Sequence, residues 1–390
     1  MEQDKRNILH LDLDTFFVSV ERLRNSQLNN KPIIVGGTSD RGVVSACSYE
    51  TRAFGVYSGM PMKMARRLCP EARLIRGDMD QYSKYSHLVT DIIADEAPVY
   101  EKMSIDEHYL DLTGMDRFFG TLKWSKELRQ RIIKESGLPI SFGLSKNKCV
   151  AKIATGEAKP NGELQIASQE ILPFLAPLSI RKIPGVGNKA FQTLRTMGVD
   201  TIATLRNVPP DMVARVLGKN GEDVWKKANG IDLSPVKPYR ERKSIGTERT
   251  FNNDRADTAR LEEIIAAMTE KLAFELRRKE KVTSCVTIKI RYANFDTHTK
   301  QQRIPYSAMD HQLIKIGREL FRKVYDRRMR VRLVGVKFSH LVHGAHQLDL
   351  FEDTSEMVRL YQALDSLKNR YGDHIVHKAL SMSGRKVVGR

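Results

Sequence analysis

In the first half of the chain, short apolar runs alternate with longer stretches in which apolar positions recur every three or four residues. Ile8–Leu13, Pro32–Val35 and Gly42–Ala46 read as strands, and Tyr82–Ala94 and Leu122–Glu135 as helices. The helices fall between strands without a repeating βαβ beat, and no GxGxxG accompanies them. The pattern predicts an α+β layout rather than a doubly wound parallel sheet.

From about 170 to 236 the texture changes to short helices broken by Gly and Pro: IRKIPGVGNKAFQTLRTMGV, PPDMVARVLG and GEDVWKKANG. VKPYRERKS (236–244) reads as an exposed basic linker. Beyond it the spacing predicts a strand over Ile245–Phe251 and a helix from its N-cap Asp257 to Lys279. Two strands (282–292 and about 299–306), a helix (309–324) and a strand (330–339) follow. That order, β-α-β-β-α-β, makes a compact unit of its own. Within it VTIKIRY puts Val286, Ile288 and Ile290 on one face and Thr287, Lys289 and Arg291 on the other. The apolar face covers helices, and the basic face is left for solvent or a phosphate backbone.

A chain of 390 residues is too long for one core, so two to four domains are expected. No apolar run approaches the roughly 20 residues of a membrane span. The start, MEQDKRNILHLDLD, lacks the apolar stretch of a signal peptide, and a cytoplasmic protein is expected. Cys47, Cys69, Cys149 and Cys285 form no CxxC pair, which argues against zinc ribbons and disulfide frameworks. Charge changes the picture more. The net charge is +18, and residues 241–345 carry 23 Lys and Arg against 13 Asp and Glu. A basic surface of this size favours a polyanion, most often nucleic acid.

Two acidic clusters carry the candidate chemistry. In HLDLDTFF, Asp12 and Asp14 would share one strand face with His10. In MSIDEHYLDL (103–112), Asp106 and Glu107 are adjacent, and a regular strand would point them to opposite faces. For both to reach one ion the chain must turn or bulge there. Asp12, Asp106 and Glu107 together offer oxygen-only ligation, which suits Mg²⁺. Two such ions about 3.5–4 Å apart activate a hydroxyl and stabilise the leaving oxygen of a phosphoryl transfer. Isolated acidic pairs are mostly surface residues, so spacing alone leaves both readings open.

DLDTFFVSVE, VVSACSYETRAFGVYSGMPM, SIDEHYLD and GLSKNKCVAKIATGEAKPNG follow one another in the chain. In that order they resemble the motifs of the Y-family translesion DNA polymerases, and the Phe-Phe after the acids is similar to the DinB-type branch. The match runs from residue 8 to about 340. It implies a right-hand polymerase: a palm over 1–16 and 79–167, small fingers over 17–78, and a helical thumb over 168–236. A linker (237–243), a βαββαβ little finger over 244–345 and a C-terminal tail over 346–390 complete it.

The resemblance implies that Asp12, Asp106, Glu107 and the backbone carbonyl of Leu13 bind two Mg²⁺ ions, with Mn²⁺ as a substitute. Tyr49, Arg52 and Lys159 fall at the family's triphosphate-binding positions. Phe17 falls at its steric gate, where a ring beneath the incoming sugar rejects a ribose 2′-hydroxyl. Many relatives carry Tyr there. Phe16 reads as a core residue, and Ser45 falls where the templating base pair is contacted. IPGVGNKA (183–190) has the helix-hairpin-helix pattern, in which Gly185 and Gly187 let backbone amides approach a phosphate. Lys289 and Arg291 join it as expected DNA-backbone contacts. HQLDLFED (346–353) resembles the peptide with which bacterial polymerases grip the sliding clamp, through Gln347, Leu348, Leu350 and Phe351. A helix-like segment, MVRLYQALDSLKNRYG, follows that motif, whereas many relatives end at it.

The expected activity is template-directed DNA synthesis from dNTPs on a primer–template, by a monomer. No second set of acids suits a 3′→5′ exonuclease, so proofreading is not expected. A nucleotide cyclase or nuclease on a similar palm would need the acids, but not the gate, the thumb hairpin and the basic last domain together. A catalytically dead DNA- or clamp-binding relative would not need Asp12, Asp106 and Glu107 intact.

Overall fold

The structure, a computed structural model, describes residues 6–115, 120–238, 241–344, 355–373 and 375–381. The chain divides into two compact units, Met1–Arg240 and Glu241–Arg390. The division falls inside the basic segment between the helical stretch and the βαββαβ pattern.

In the first unit, β1 (Ile8–Leu13) runs into α1 (Phe16–Arg24). A small sheet follows, from β2 (Ile33–Gly36), β3 (Val44–Cys47) and β4 (Arg73–Ile75), in the order β3-β2-β4. The helices α2 (Tyr49–Ala53) and α3 (Met62–Leu68) accompany it. Its separate small core includes Ile34, Val44, Val56, Met60 and Met62. The helix α4 (Met79–Glu96) starts on Asp78, whose carboxylate accepts the Gln81 N–H at 3.2 Å, a conventional N-cap. Then come β5 (Tyr100–Lys102), β6 (Glu107–Asp111), α5 (Thr121–Ser136), β7 (Ile140–Ser145), α6 (Lys148–Ala158) and β8 (Glu163–Gln165).

These strands join β1 in a five-stranded sheet of order β5-β6-β1-β7-β8, with β1 in the middle and antiparallel to both neighbours. Alternation along β1 sets its two faces. Leu9, Leu11 and Leu13 enter a core with Val89 and Ile92 of α4 and Leu128 and Ile132 of α5. His10 and Asp12 take the other face, over which α6 lies. Gly143 explains how close α6 comes: a Cβ there would stand 2.2 Å from the Ala151 carbonyl oxygen. The strand ends at Leu13. Asp14 and Thr15 form a turn, with Thr15 in the left-handed region at φ 42°, so Asp14 leaves the strand it was expected to share with Asp12.

Five helices complete this unit: α7 (Ile171–Leu175), α8 (Asn188–Thr196), α9 (Ile202–Arg206), α10 (Pro210–Leu217) and α11 (Asn220–Ala228). They share a core built from Ile171, Leu175, Leu194, Leu205, Val213 and Val224, among others. Gly185, in the turn before α8, has φ +106°, which only glycine adopts freely.

The second unit has the βαββαβ order: β9 (Ser244–Arg255), α12 (Thr258–Arg278), β10 (Lys281–Tyr292), β11 (Thr297–Ser307), α13 (Asp310–Val324) and β12 (Val331–His343). The sheet order is β11-β10-β12-β9, antiparallel throughout. Val286, Ile288 and Ile290 are fully buried with Leu261, Ile265 and Phe321, while Lys289 and Arg291 lie on the opposite face. Asp257 caps α12 through the Arg260 N–H at 3.1 Å. β9 runs beyond the expected 251 through pairing such as Arg255 with Val331, and β12 runs beyond 339 through pairing such as His343 with Lys281.

The helix-like segment near the C-terminus is α14 (Ser355–Tyr371), and it is docked on this unit. Lys368 reaches the buried Glu270 at 2.9 Å, and Arg277 grips Asp365 with two N–H groups at 2.6 and 2.8 Å. Tyr361, 3% exposed, places its hydroxyl 2.9 Å from His311 Nδ1.

Candidate active site

Strand register brings the two acidic clusters together. Asp12 on β1 lies opposite Glu107 at the start of β6 and opposite Ser141 on β7. Ser104–Asp106 form a bend, and the Asp106 carbonyl accepts the Leu13 N–H at 3.0 Å. That bend supplies the turn that two adjacent acids required. Even so, the side chains divide. The ligand atoms of His10, Asp12 and Glu107 all lie within 4.8 Å of one another, whereas the Asp106 carboxylate accepts the Ser104 hydroxyl at 2.5 Å.

Each carboxylate has its own partners. Lys159, the residue after α6, puts Nζ 2.5 Å from Asp12 Oδ1 and 3.7 Å from Asp14 Oδ1. Burial pushes the Asp12 carboxyl above the usual range, with Lys159 working against it. Glu107 Oε1 takes Lys152 Nζ and, at 2.7 Å, His10 Nε2. Burial opposes ionisation of Glu107, but the His10 and Lys152 hydrogen bonds outweigh it and hold the group at about 2. His10 is itself fully buried, and desolvation lowers its pKa. A neutral imidazole donating from Nε2 to Glu107 accepts at Nδ1 from the Thr155 hydroxyl, 2.7 Å away.

Asp14 is 1% exposed and accepts from Ser141 Oγ at 2.8 Å, from the Asn161 N–H at 2.7 Å and from Tyr49 OH at 3.4 Å. It is a joint between the end of β1, the strand β7, the KPNG turn and α2. Tyr49 begins α2 behind its N-cap Ser48, and the exposed Arg52 guanidinium lies 5.0 Å from the Tyr49 ring centre. Burial and the Asp14 charge raise the Tyr49 pKa, so the phenol keeps its proton to donate. Tyr49 and Lys159 thus meet at Asp14, and Arg52 stands beside them over the Tyr49 ring. Ser45 is exposed on β3.

Phe16 and Phe17 separate as helix geometry demands. Phe16 is 3% exposed in the core, whereas Phe17 is half-buried and stacks on Tyr82, ring centres 4.2 Å apart at 13°. Tyr82 donates to Glu21 Oε1 at 2.7 Å, and Glu21 sits one turn after Phe17 on α1.

Three residues of this site escaped the sequence reading. Tyr82 is visible only through a contact between α1 and α4. His10 was noted for its shared face but given no role. Lys152 looked like one more surface lysine. A signal for it existed, because Lys148, Lys152, Thr155 and Lys159 recur at helical spacing on one face. Lys148 pairs with Glu101 at 2.7 Å, Lys152 with Glu107 and Lys159 with Asp12, so one stripe serves three successive acids.

The other expected contacts come from other elements. Gly185 and Gly187 flank the turn before α8, and a Cβ at either would meet nothing within 4 Å. Only Gly185 needs a positive φ. In the second unit Lys289 pairs with Glu248 at 2.9 Å and Arg291 donates to Thr297 at 2.9 Å. Gln347, Leu348, Leu350 and Phe351 lie outside the described residues.

The donor set fits a hard divalent cation. Two carboxylates from adjacent strands converge, and two lysine ammonium groups already sit where positive charge is favoured.

Residues 11–156 match the impB/mucB/samB family, and residues 242–350 match its C-terminal domain. A DNA polymerase IV of Dehalococcoides mccartyi is 38% identical over 371 residues, covering 94% of this chain and 95% of that one. A DNA polymerase IV of Treponema denticola is 33% identical, covering 97% and 94%. Among solved structures, a Y-family DNA polymerase chimera superposes with a TM-score of 0.77 at 26% identity, covering 87% of this chain and all of that one. On these matches the fold is the mixed α+β palm, fingers, thumb and little-finger architecture of Y-family polymerases, and the chain belongs to the impB/mucB/samB family of Y-family translesion DNA polymerases, in its DNA polymerase IV group.

Proposed function

We propose that this DNA-directed DNA polymerase performs its chemistry at the junction of β1 and β6, with Asp12, Asp106 and Glu107 as catalytic acids. The observation that carries the reading is the cross-strand pairing of Asp12 with Glu107, with Lys159 on Asp12 and Lys152 on Glu107. The chain extends a primer 3′-hydroxyl with dNTPs against a template, as a translesion enzyme without proofreading.

Two Mg²⁺ ions, or Mn²⁺ in their place, lower the pKa of the primer hydroxyl and neutralise the departing pyrophosphate when bound. Asp12, Asp106, Glu107 and the Leu13 carbonyl hold them. Asp106 Oδ1 accepts the Ser104 hydroxyl, and the carboxylate has further lone pairs to offer a cation. Lys159 has a short reach from Asp12 to a triphosphate beside it and acts as a point charge. Arg52 presents a planar guanidinium suited to two phosphate oxygens, and Tyr49 donates a single hydrogen bond. The Phe17 ring, fixed on Tyr82, lies under the sugar and leaves no room or hydrogen-bond partner for a 2′-hydroxyl. Ser45 adds little bulk beside the templating pair, in keeping with damaged bases. The backbone at Gly185 and Gly187, and Lys289 and Arg291 on the exposed face of β10, hold DNA phosphates without reading sequence. Gln347, Leu348, Leu350 and Phe351 bind the bacterial sliding clamp. No described helix is long and apolar enough to cross a membrane. The chain works on DNA in the cytoplasm as a monomer.

Primer extension with Mg²⁺ and dNTPs tests the reading. Wild type extends the primer and Asp106→Ala does not; full extension by Asp106→Ala overturns the site. Deletion of 347–351 spares basal synthesis and removes stimulation by the clamp, and stimulation that persists overturns the clamp assignment.

A further inference from the structure

The stripe of lysines on α6 has a consequence for how the site is filled. Both members of the convergent carboxylate pair are already neutralised by the chain itself: Asp12 by Lys159 at 2.5 Å, and Glu107 by Lys152. Lys152 lies on α6 and Lys159 directly follows its last residue, and α6 is held against the sheet by the close approach at Gly143, so the two ammonium groups are positioned by one packed segment. A dication at Asp12 Oδ1 competes with Lys159 for that oxygen, and one at Glu107 Oε1 competes with Lys152, which shares the oxygen with His10.

The two lysines differ in where they can go. Lys159 has a second anion to hold, the triphosphate of an incoming nucleotide. Lys152, 39% exposed at its side chain, has only water. We propose that Lys152 is the resident counter-ion of Glu107, a competitor of the divalent cation that keeps the carboxylate pair weakly metallated until nucleotide draws Lys159 from Asp12. The proposal rests on the metal-binding role given above to Asp12 and Glu107. Before nucleotide arrives the pair is neutral and closed by its own lysines. Afterwards Asp12 is open, the triphosphate adds negative charge nearby, and Lys152 is the weaker competitor because a monocation faces a dication at the same oxygen. An ordinary surface ion pair would do none of this: it would contribute almost nothing to stability and leave metal affinity unchanged.

Mn²⁺ binding to the free full-length chain, followed by the loss of the aqueous Mn²⁺ resonance without DNA or nucleotide, tests this apart from activity. Lys152→Met and Lys152→Gln bind Mn²⁺ about five- to tenfold more tightly than wild type, and Lys152→Arg binds as wild type does. Glu107→Gln loses the site. Thermal melting confirms that each variant is folded, which α6 tolerates because Lys152 is a partly exposed helical position. If Glu107→Gln loses binding while both neutral Lys152 variants bind no more tightly than wild type, the counter-ion role is overturned and the metal site stands. If Glu107→Gln binds as wild type does, the metal reading falls, and this inference with it.

Discussion

The ring of Phe17 lies almost parallel to that of Tyr82, 4.2 Å away, and the Tyr82 hydroxyl is tied to Glu21 on the helix that carries Phe17. The Phe17 ring is therefore backed by a second ring whose far end returns to the helix that carries Phe17. Neither ring can tilt without breaking the stack or the 2.7 Å hydrogen bond.

Removing the Phe17 ring leaves a gap at the proposed sugar position. Phe17→Ala admits ribonucleotides, lowering the ratio of dNTP to rNTP incorporation by about 100-fold or more, since a site that excludes by shape loses that exclusion with the shape. Single-nucleotide insertion kinetics with matched dNTP and rNTP measure it. An unchanged ratio removes Phe17 from the gate.

Tyr82 separates packing from anchoring. Tyr82→Phe keeps the stack but leaves the buried Glu21 carboxylate without this donor, costing about 1–2 kcal/mol of stability with sugar selectivity retained. Tyr82→Ala loses the stack as well, costs about 3–5 kcal/mol and relaxes the dNTP preference. Denaturant melts and the same insertion assay give both numbers for each variant.

The docking of α14 rests on charges out of water. Lys368 and Glu270 are 4% and 1% exposed at their side chains, so Lys368→Met takes a buried ammonium from the Glu270 carboxylate and destabilises the docked helix by about 3 kcal/mol. Amide hydrogen exchange reads the result: faster exchange over 355–371, with the β10–β12 ladder unchanged. Uniform protection in the variant would show that the pair contributes nothing to docking.

Glu262 gives the second unit a pH dependence. Hydrogen bonds from Arg322 and Arg318 lower its pKa against the opposing effect of burial. A carboxylate depressed on folding stabilises above its unfolded pKa and loses that contribution as pH falls through the folded value. Glu262→Gln therefore lowers the melting temperature by about 2–4 °C near neutral pH, a modest figure because Arg322 is exposed. The gap between variant and wild type narrows as pH falls below the ordinary glutamate pKa and closes below the lowered folded value. A gap that is constant with pH would mean that charge is not involved.

The sequence was most legible where local alternation and burial agree. Ile8–Leu13 alternates strictly and is one strand with those bounds; Val286, Ile288 and Ile290 bury as their spacing requires. Asp12 and Glu107 were identified only as a family pattern, because register between strands ninety-five residues apart is not written in either strand. Asp14 was misplaced on the Asp12 face for a local reason: Thr15 turns left-handed, and the strand period stops one residue too soon. Lys152 and Tyr82 were missed because each matters through a packed neighbour. α6 is amphipathic with or without a partner for its lysines, and a tyrosine on α4 fits any apolar core.

The burial of Asp14 joins parts of the site that its chemistry keeps distinct. One carboxylate bonds the strand beside Asp12, the turn that carries Lys159, and the phenol of Tyr49. The proposed site is thus a single cooperative patch in its response to heat or denaturant: whatever frees Asp14 slackens Tyr49, Lys159 and the setting of Asp12 in the same event. Thermal inactivation would then appear as one transition in nucleotide affinity and turnover together.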